Sequence, residues 1–133
     1  MDTPPLSKRA ARRVIQRAFV LMGRDKALRQ HIRECTITTL WVLEDWELEW
    51  TVFLNRAKFE VVRRPAKRPD VTFLWTTAEA FFQQVDQPGE ALTHVQIQPP
   101  QSRRFFETLL RGFFDCLRHV LDDPVDDVGE SLL

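Results

Sequence analysis

The chain has 133 residues and a formal net charge of zero, a length that fits one domain with a single core. Its ten Phe and four Trp, with no Tyr, suit a dry core or an apolar pocket, because they lack the hydroxyl group of Tyr. The two cysteines form neither a disulfide framework nor a metal motif, and no apolar run is long enough to span a bilayer. We therefore expect a cytoplasmic protein with reduced thiols.

The charges are unevenly distributed along the chain. Residues 1–34 hold nine basic residues against three acidic ones, whereas residues 122–133 hold five acidic residues and no basic one. Solvated ends are the ordinary interpretation, and a surface that steers the protein to an acidic partner or a phospholipid headgroup is the alternative. We expect a disordered leader over 1–7, which contains a Pro-Pro pair, one domain over 8–121, and a disordered acidic tail over 122–133.

Apolar residues recur at helical spacing from about Lys8 and predict a first helix that ends at Gly23. A shorter helical piece carries Leu28 and Ile32. From Cys35 the period changes to two, and this alternation predicts strands at about 35–43, 46–54, 58–61, 71–75 and 94–98. Most of these strands have one apolar and one polar face. That pattern is typical of a largely antiparallel sheet, here of about five strands, with helices covering one face.

Two further helices follow the fourth and the fifth strand. Thr76 as the N-cap and Glu79 reaching back fit a capping box at the start of a short helix, which ends at a Pro-Gly pair. Ser102 can cap a last amphipathic helix, which runs for about five turns towards Pro124. The order of helix, four strands, helix, strand and helix predicts an α+β fold, with the sheet in one layer and the helices in the other.

This order and several local strings resemble the sterol carrier protein 2 (SCP2-like) family. In that family a W-x-L-x-Φ strand enters a hairpin, a loop and strand lead directly into a helix, and a short strand precedes a long amphipathic helix. The resemblance covers about residues 35–121. The matching strings are WELEW (46–50), LNRAKFEV (54–61), RPAKRPDVTFLWTTAEAFFQQV (64–85) and HVQIQPPQSRRFFETLL (94–110).

The chain departs from the family pattern around the last predicted strand. The family has a Gly on each side of that strand, whereas residues 93–100 (THVQIQPP) contain none. The preceding segment, DQPGEALT (86–93), is also several residues shorter than in the family. In the family this region forms part of the wall of an apolar tunnel. The sequence of this chain therefore does not determine whether it has a tunnel or how large the tunnel is.

The resemblance implies non-covalent binding of a lipid, acyl chain, sterol or other hydrophobic molecule, without a cofactor. The role would be that of a carrier in lipid transport, or of an accessory factor in lipid or isoprenoid quinone (ubiquinone) synthesis. Burial of hydrocarbon stabilises such a complex by about 0.8 kcal/mol per CH₂. The alternative is a solid core, which would leave an SCP2-like module for protein interaction or dimerisation. The candidate ligand-binding residues are Trp50, Trp75, Phe81, Phe82, Leu110, Phe113 and Phe114.

Catalytic and metal chemistry has less support in the sequence. Cys116 and His119 lie three residues apart with Asp115 beside them, a spacing that could seat a metal or pair a nucleophile with a base. No third ligand or orienting group accompanies them, and the chain has no phosphate loop or nucleophile elbow. We expect a protein that is not an enzyme and has no metal site.

The basic first helix also bears on partners. Its arginines lie among the apolar positions typical of a core-facing helix. No aromatic residues on which nucleic-acid bases could stack accompany them. This favours a membrane surface or an acidic protein over nucleic acid as a contact of the helix. A homodimer is a further possibility that the sequence leaves open.

Overall fold

The computed structural model describes residues 6–56, 58–86 and 103–133. The protein is α+β, as predicted, and the described residues hold four α-helices and four strands, with a short 3-10 helix (Glu44–Trp46) between the first two strands. In chain order these elements are α1 (Lys8–Arg24), α2 (Lys26–His31), β1 (Thr36–Leu43), β2 (Leu48–Asn55), β3 (Lys58–Val62), β4 (Val71–Trp75), α3 (Ala78–Gln83) and α4 (Arg103–Asp122).

The four strands form one mixed sheet in the order β3-β2-β1-β4. The pairs β1–β2 and β2–β3 are antiparallel, whereas β4 lies parallel to β1. The sequence predicted a largely antiparallel sheet of about five strands, and the parallel pair departs from that prediction. Alternation predicts which face a side chain occupies but not which neighbour a strand takes or in which direction it runs. The fifth predicted strand (94–98) lies outside the described residues.

The alternating apolar side chains of the strands share one face of the sheet. Trp41 of β1 lies opposite Trp50 of β2 and Phe73 of β4, so three large aromatic side chains of this face are neighbours. Helices α1 and α4 contact these three side chains, and α3 contacts Trp75 beside them. Val14, Ile15, Ala18 and Phe19 of α1, for example, are all at most 1% exposed. The helices therefore cover one face of the sheet and place the core between the two layers.

The opposite face of the sheet is crossed by the basic loop 63–70. This loop joins β3 at one edge of the sheet to β4 at the other edge. The Thr51 hydroxyl, on the face away from the helices, donates a 2.6 Å hydrogen bond to the Arg64 carbonyl oxygen. At its far end the Asp70 carboxylate accepts a 2.9 Å hydrogen bond from the Thr38 backbone N–H. Because the chain crosses the face instead of turning back in a hairpin, β4 enters the sheet parallel to β1.

Capping residues define the helix starts. Ser7 accepts from the Ala10 N–H at the start of α1, and Asp25 accepts from the Leu28 N–H at the start of α2. The predicted N-cap of α3 was wrong by one residue. Thr77, not Thr76, has the extended backbone of an N-cap residue, and its hydroxyl accepts from the Ala80 N–H. The predicted Pro-Gly stop of this helix and the cap at Ser102 lie outside the described residues.

The acidic segment 122–133 differs from the disordered tail that its composition suggested. Val125 and Ser131 pair as an antiparallel bridge, and Leu132 is only 7% exposed. The Asp127 carboxylate pairs with Arg17 at 3.0 Å and Arg24 at 2.9 Å, both on α1. These partners lie more than a hundred positions earlier in the chain, and no local sequence pattern indicates such a contact. The tail therefore packs on the outer side of α1.

Candidate functional site

The seven predicted ligand-binding residues all lie in the interior between sheet and helices. Their exposed fractions range from 0% to 6%. Trp50 and Trp75 come from β2 and β4, Phe81 and Phe82 from α3, and Leu110, Phe113 and Phe114 from α4. Two strands and two helices thus contribute to one apolar interior.

Five of these seven side chains form one contact group around Trp75. The ring centroids of Trp75 and Phe81 are 5.0 Å apart, and those of Trp75 and Phe114 are 5.8 Å apart. Phe81 and Phe114 also touch each other at 5.3 Å. Phe82 packs on Phe81, and Phe113 packs on Phe114. Most of these rings meet edge to face, a favourable arrangement for aromatic pairs.

Trp50 belongs to the same interior but lies on the other side of β1. Its ring packs on Phe19 of α1 at 5.8 Å, and Phe19 in turn packs on Phe113 at 4.6 Å and on Trp41 at 5.2 Å. Neither Phe19 nor Trp41 was among the predicted site residues. Trp41 alternates in step with Leu43, and this parity could have placed Trp41 on the apolar face of the sheet. No local sequence pattern links Phe19 to the tryptophans.

The indole N–H groups of three buried tryptophans differ in their partners. Trp50 donates a 2.8 Å hydrogen bond to the Gln16 side-chain oxygen, and Trp41 donates a 2.8 Å hydrogen bond to the Thr39 hydroxyl. Trp75 is 2% exposed, and its indole N–H has no hydrogen-bond partner among the residues that the structure describes. Since a buried Trp N–H usually finds an acceptor, Trp75 is the exception in this interior.

A second buried polar atom without a partner lies on the segment next to Trp75. Gln84 is the C-cap residue of α3. Its side-chain oxygen accepts no hydrogen bond within the described part of the chain. Gln84 follows Phe81 by three positions, so both residues lie on the same side of this helical segment. Both unsatisfied groups therefore belong to the region where α3 meets the sheet.

No family model, curated protein or solved structure matches this chain. The resemblance to the SCP2-like family therefore rests on the strings and the element order of the sequence. Among the described residues, no helix has the length and apolarity needed to span a bilayer.

Helix α3 makes its polar contacts with the rest of the fold at two places. This helix has six residues, and the Ala78 N–H at its start donates a 3.0 Å hydrogen bond to the Asp45 carboxylate. Past its C-terminus, Arg118 of α4 donates to the Val85 carbonyl oxygen at 3.1 Å and pairs with the Asp86 carboxylate. These polar contacts lie at the ends of α3, while Phe81 and Phe82 hold its middle in the interior.

Cys116 is a half-buried free cysteine on α4, three positions before His119. Burial, with a smaller contribution from the negative charges of Asp25 and Asp115, raises the pKa of the Cys116 thiol to about 11. At neutral pH this thiol is therefore protonated and a poor nucleophile. Among the described residues, no group of three His, Cys, Asp or Glu side chains is placed to hold a metal ion.

Proposed function

We propose that this chain binds a hydrophobic small molecule non-covalently, at the end of the interior formed by Trp75, Phe81 and Phe114. The molecule would carry an oxygen that accepts a hydrogen bond, such as the carbonyl or carboxylate of an acyl chain, a sterol hydroxyl or a quinone carbonyl. The observation that carries the proposal is the buried Trp75 indole N–H without a partner among the described residues.

The cost of the unpaired indole group is the physical basis of this proposal. A buried donor that loses its partner costs about 1–3 kcal/mol, and Phe at the same position would avoid that cost. A guest that supplies the acceptor removes the penalty, and its hydrocarbon adds about 0.8 kcal/mol for each CH₂ buried among the aromatic rings. A chain of about a dozen carbons would thus bind with both an apolar and a polar contribution.

Entry of a guest requires a local movement, because the side chains around Trp75 are nearly fully buried. We propose that α3 is the part that moves. It is short, and its polar contacts, with Asp45 before its start and with Arg118 past its end, lie outside the stretch that Phe81 and Phe82 bury. Short elements with few contacts open at lower free energy than the central strands and long helices of a domain.

In this proposal the protein is an SCP2-like domain that acts without catalysis. It would serve in the cytoplasm as a lipid carrier or as an accessory factor of lipid or isoprenoid quinone metabolism. The five-stranded, largely antiparallel sheet of that family would require the strand predicted at 94–98 to join the four described strands.

A second candidate function is favoured by the close packing of the rings. If Trp75, Phe81 and Phe114 stay in contact at all times, the protein has no guest and acts as an interaction or dimerisation module. Its open sheet face is a poor surface for this purpose, since loop 63–70 crosses it and none of its described side chains is a large exposed hydrophobic residue.

Native mass spectrometry distinguishes the two functions. The full chain is purified without detergent or organic solvent and examined before and after addition of dodecanoate, cholesterol or a prenylated benzoquinone. The proposal predicts a one-to-one complex with at least one of these probes, which Trp75→Phe weakens and Trp50→Phe leaves unchanged. A dimer with no complex of any probe would support the interaction module and contradict the binding function.

A further inference from the structure

A second candidate site lies on the outside of the helix layer, away from Trp75. It is a groove of about 330 Å³ between α1, the end of β3 and the C-terminal tail. Residues from three distant parts of the chain therefore meet there. Its lining residues are Arg12, Arg13, Gln16, Arg17, Val20, Arg63 and Leu132.

Four guanidinium groups line this groove, and none of its lining residues is acidic. Arg17 pairs with Asp127 at 3.0 Å, and Arg13 donates a 3.2 Å hydrogen bond to the Ser131 carbonyl oxygen. Arg12 and Arg63 have no carboxylate partner in the described part of the chain. Like charges at close range disfavour the folded state, as for Arg13 and Arg17 four positions apart on one helix. A bound anion would relieve this repulsion.

We propose that this groove binds the phosphate group of an organic phosphate. The planar guanidinium presents its donors in a fork that matches the oxygens of phosphate, and several such forks can converge on one phosphate. Val20 is 36% exposed beside the arginines, and Leu132 forms an apolar part of the wall. These two side chains suit the hydrocarbon next to the phosphate.

The same phosphate chemistry occurs in a phospholipid headgroup and in a soluble phosphate monoester. Glycerol 3-phosphate and phosphatidic acid share the headgroup and differ in whether it belongs to a membrane. The site does not depend on binding at Trp75, since it shares no residue with the interior around that side chain.

Gln16 provides a built-in reporter of this groove. Its side chain lines the groove, while its oxygen accepts the hydrogen bond from the indole N–H of Trp50. Occupation of the groove changes the surroundings of Gln16 and thereby the indole ¹H–¹⁵N resonance of Trp50. The Trp75 indole, on the other side of β1, serves as the internal reference.

The test titrates the full chain at constant ionic strength with inorganic phosphate, glycerol 3-phosphate, and phosphatidylcholine vesicles with and without phosphatidic acid. Arg12→Gln/Arg63→Gln removes two charges from the groove. Lys26→Gln/Arg33→Gln removes two charges from exposed positions outside it and serves as the matched control. We expect the groove variant to weaken binding by roughly tenfold or more, as for lost charge-assisted hydrogen bonds. The control variant should stay within about twofold, the size of a general charge effect.

The outcomes separate the two sources of phosphate. A saturable shift of the Trp50 indole with glycerol 3-phosphate supports a soluble ligand, whereas binding only to vesicles with phosphatidic acid, lost in the groove variant, supports a lipid headgroup. Equal losses in both double variants, or no binding of any probe, would overturn the site. Arg63→Gln alone replaces the double variant if the latter does not fold, because Arg63 is exposed at the end of a strand.

Discussion

Trp50 and Trp75 lie on the same face of one sheet, on either side of Trp41, and both are at most 3% exposed. The indole of Trp50 lies beneath the long helix α1, whose Gln16 accepts its N–H. Trp75 lies beneath the short helix α3, and no described residue accepts its N–H. The two indoles are equally buried and differ in whether the N–H group has a described acceptor, so hydrogen bonding and not burial sets Trp75 apart.

The largest expected effect tests whether the Trp50 region is solid core. Phe19→Ala removes a ring in contact with Trp41, Trp50 and Phe113 and should destabilise the protein by about 3–5 kcal/mol in urea unfolding. Phe81→Ala creates a similar cavity beside Trp75. Added dodecanoate should raise the stability of the Phe81 variant and leave the Phe19 variant unchanged. Equal rescue of both variants would remove the distinction between the two regions.

The next effect concerns the two indoles directly. Trp50→Phe leaves the Gln16 oxygen without its donor and should destabilise the ligand-free protein by about 1–2 kcal/mol. Trp75→Phe removes a donor that has no described partner, so the ligand-free protein should keep or gain stability. Chemical denaturation of both variants measures the difference. A loss at Trp75 as large as that at Trp50 would mean that the Trp75 N–H is satisfied within the chain.

A smaller effect tests the movement of α3. Arg118→Gln removes the pairing with Asp86 and weakens the attachment of the segment after α3 to α4. Release of dodecanoate, followed by stopped-flow tryptophan fluorescence, should become faster by up to about fivefold, in keeping with the strength of a partly exposed ion pair. Arg111→Gln, at an exposed position of α4, is the control. Unchanged release in the Arg118 variant would contradict an opening at this end of α3.

The smallest effect concerns the tail beside the Trp50 region. Hydrogen bonds from Arg24 and Arg17 lower the pKa of Asp127 below its ordinary value of 3.8. Because the pKa is lowered, the contact of the Asp127 carboxylate with the two arginines stabilises the docked tail fully at pH values above the ordinary pKa. This stabilisation is lost as the pH falls through the lowered pKa of Asp127. Methyl resonances of Val128 and Leu133 should therefore change below about pH 4. In Asp127→Asn this acid-dependent change should be absent, and its persistence would point to another carboxylate.

The sequence predicts the faces of the strands better than their arrangement. Alternation correctly placed Trp50 and Trp75 on the apolar face, because side-chain parity is a local property of a strand. The parallel pairing of β4 depends on the path of loop 63–70, and the docking of Asp127 depends on arginines far away in the chain. Neither the direction of β4 nor the docking of Asp127 is indicated by a local sequence pattern.

The candidate site was predictable only in part for the same reason. Aromatic stripes indicated Phe81, Phe113 and Phe114, and the structure brings these rings into contact. Whether an indole N–H finds an acceptor depends on the three-dimensional neighbours of the ring. The unsatisfied donor of Trp75 therefore becomes visible only in the folded structure.

The most direct test of the central claim is a titration of the ¹⁵N-labelled full chain with dodecanoate, monitored by the indole ¹H–¹⁵N resonances. We predict a saturable one-to-one shift of the Trp75 resonance as its N–H gains an acceptor, while the Trp50 resonance stays in place. A Trp75 resonance that does not respond to dodecanoate, cholesterol or a prenylated benzoquinone would contradict the proposed binding function.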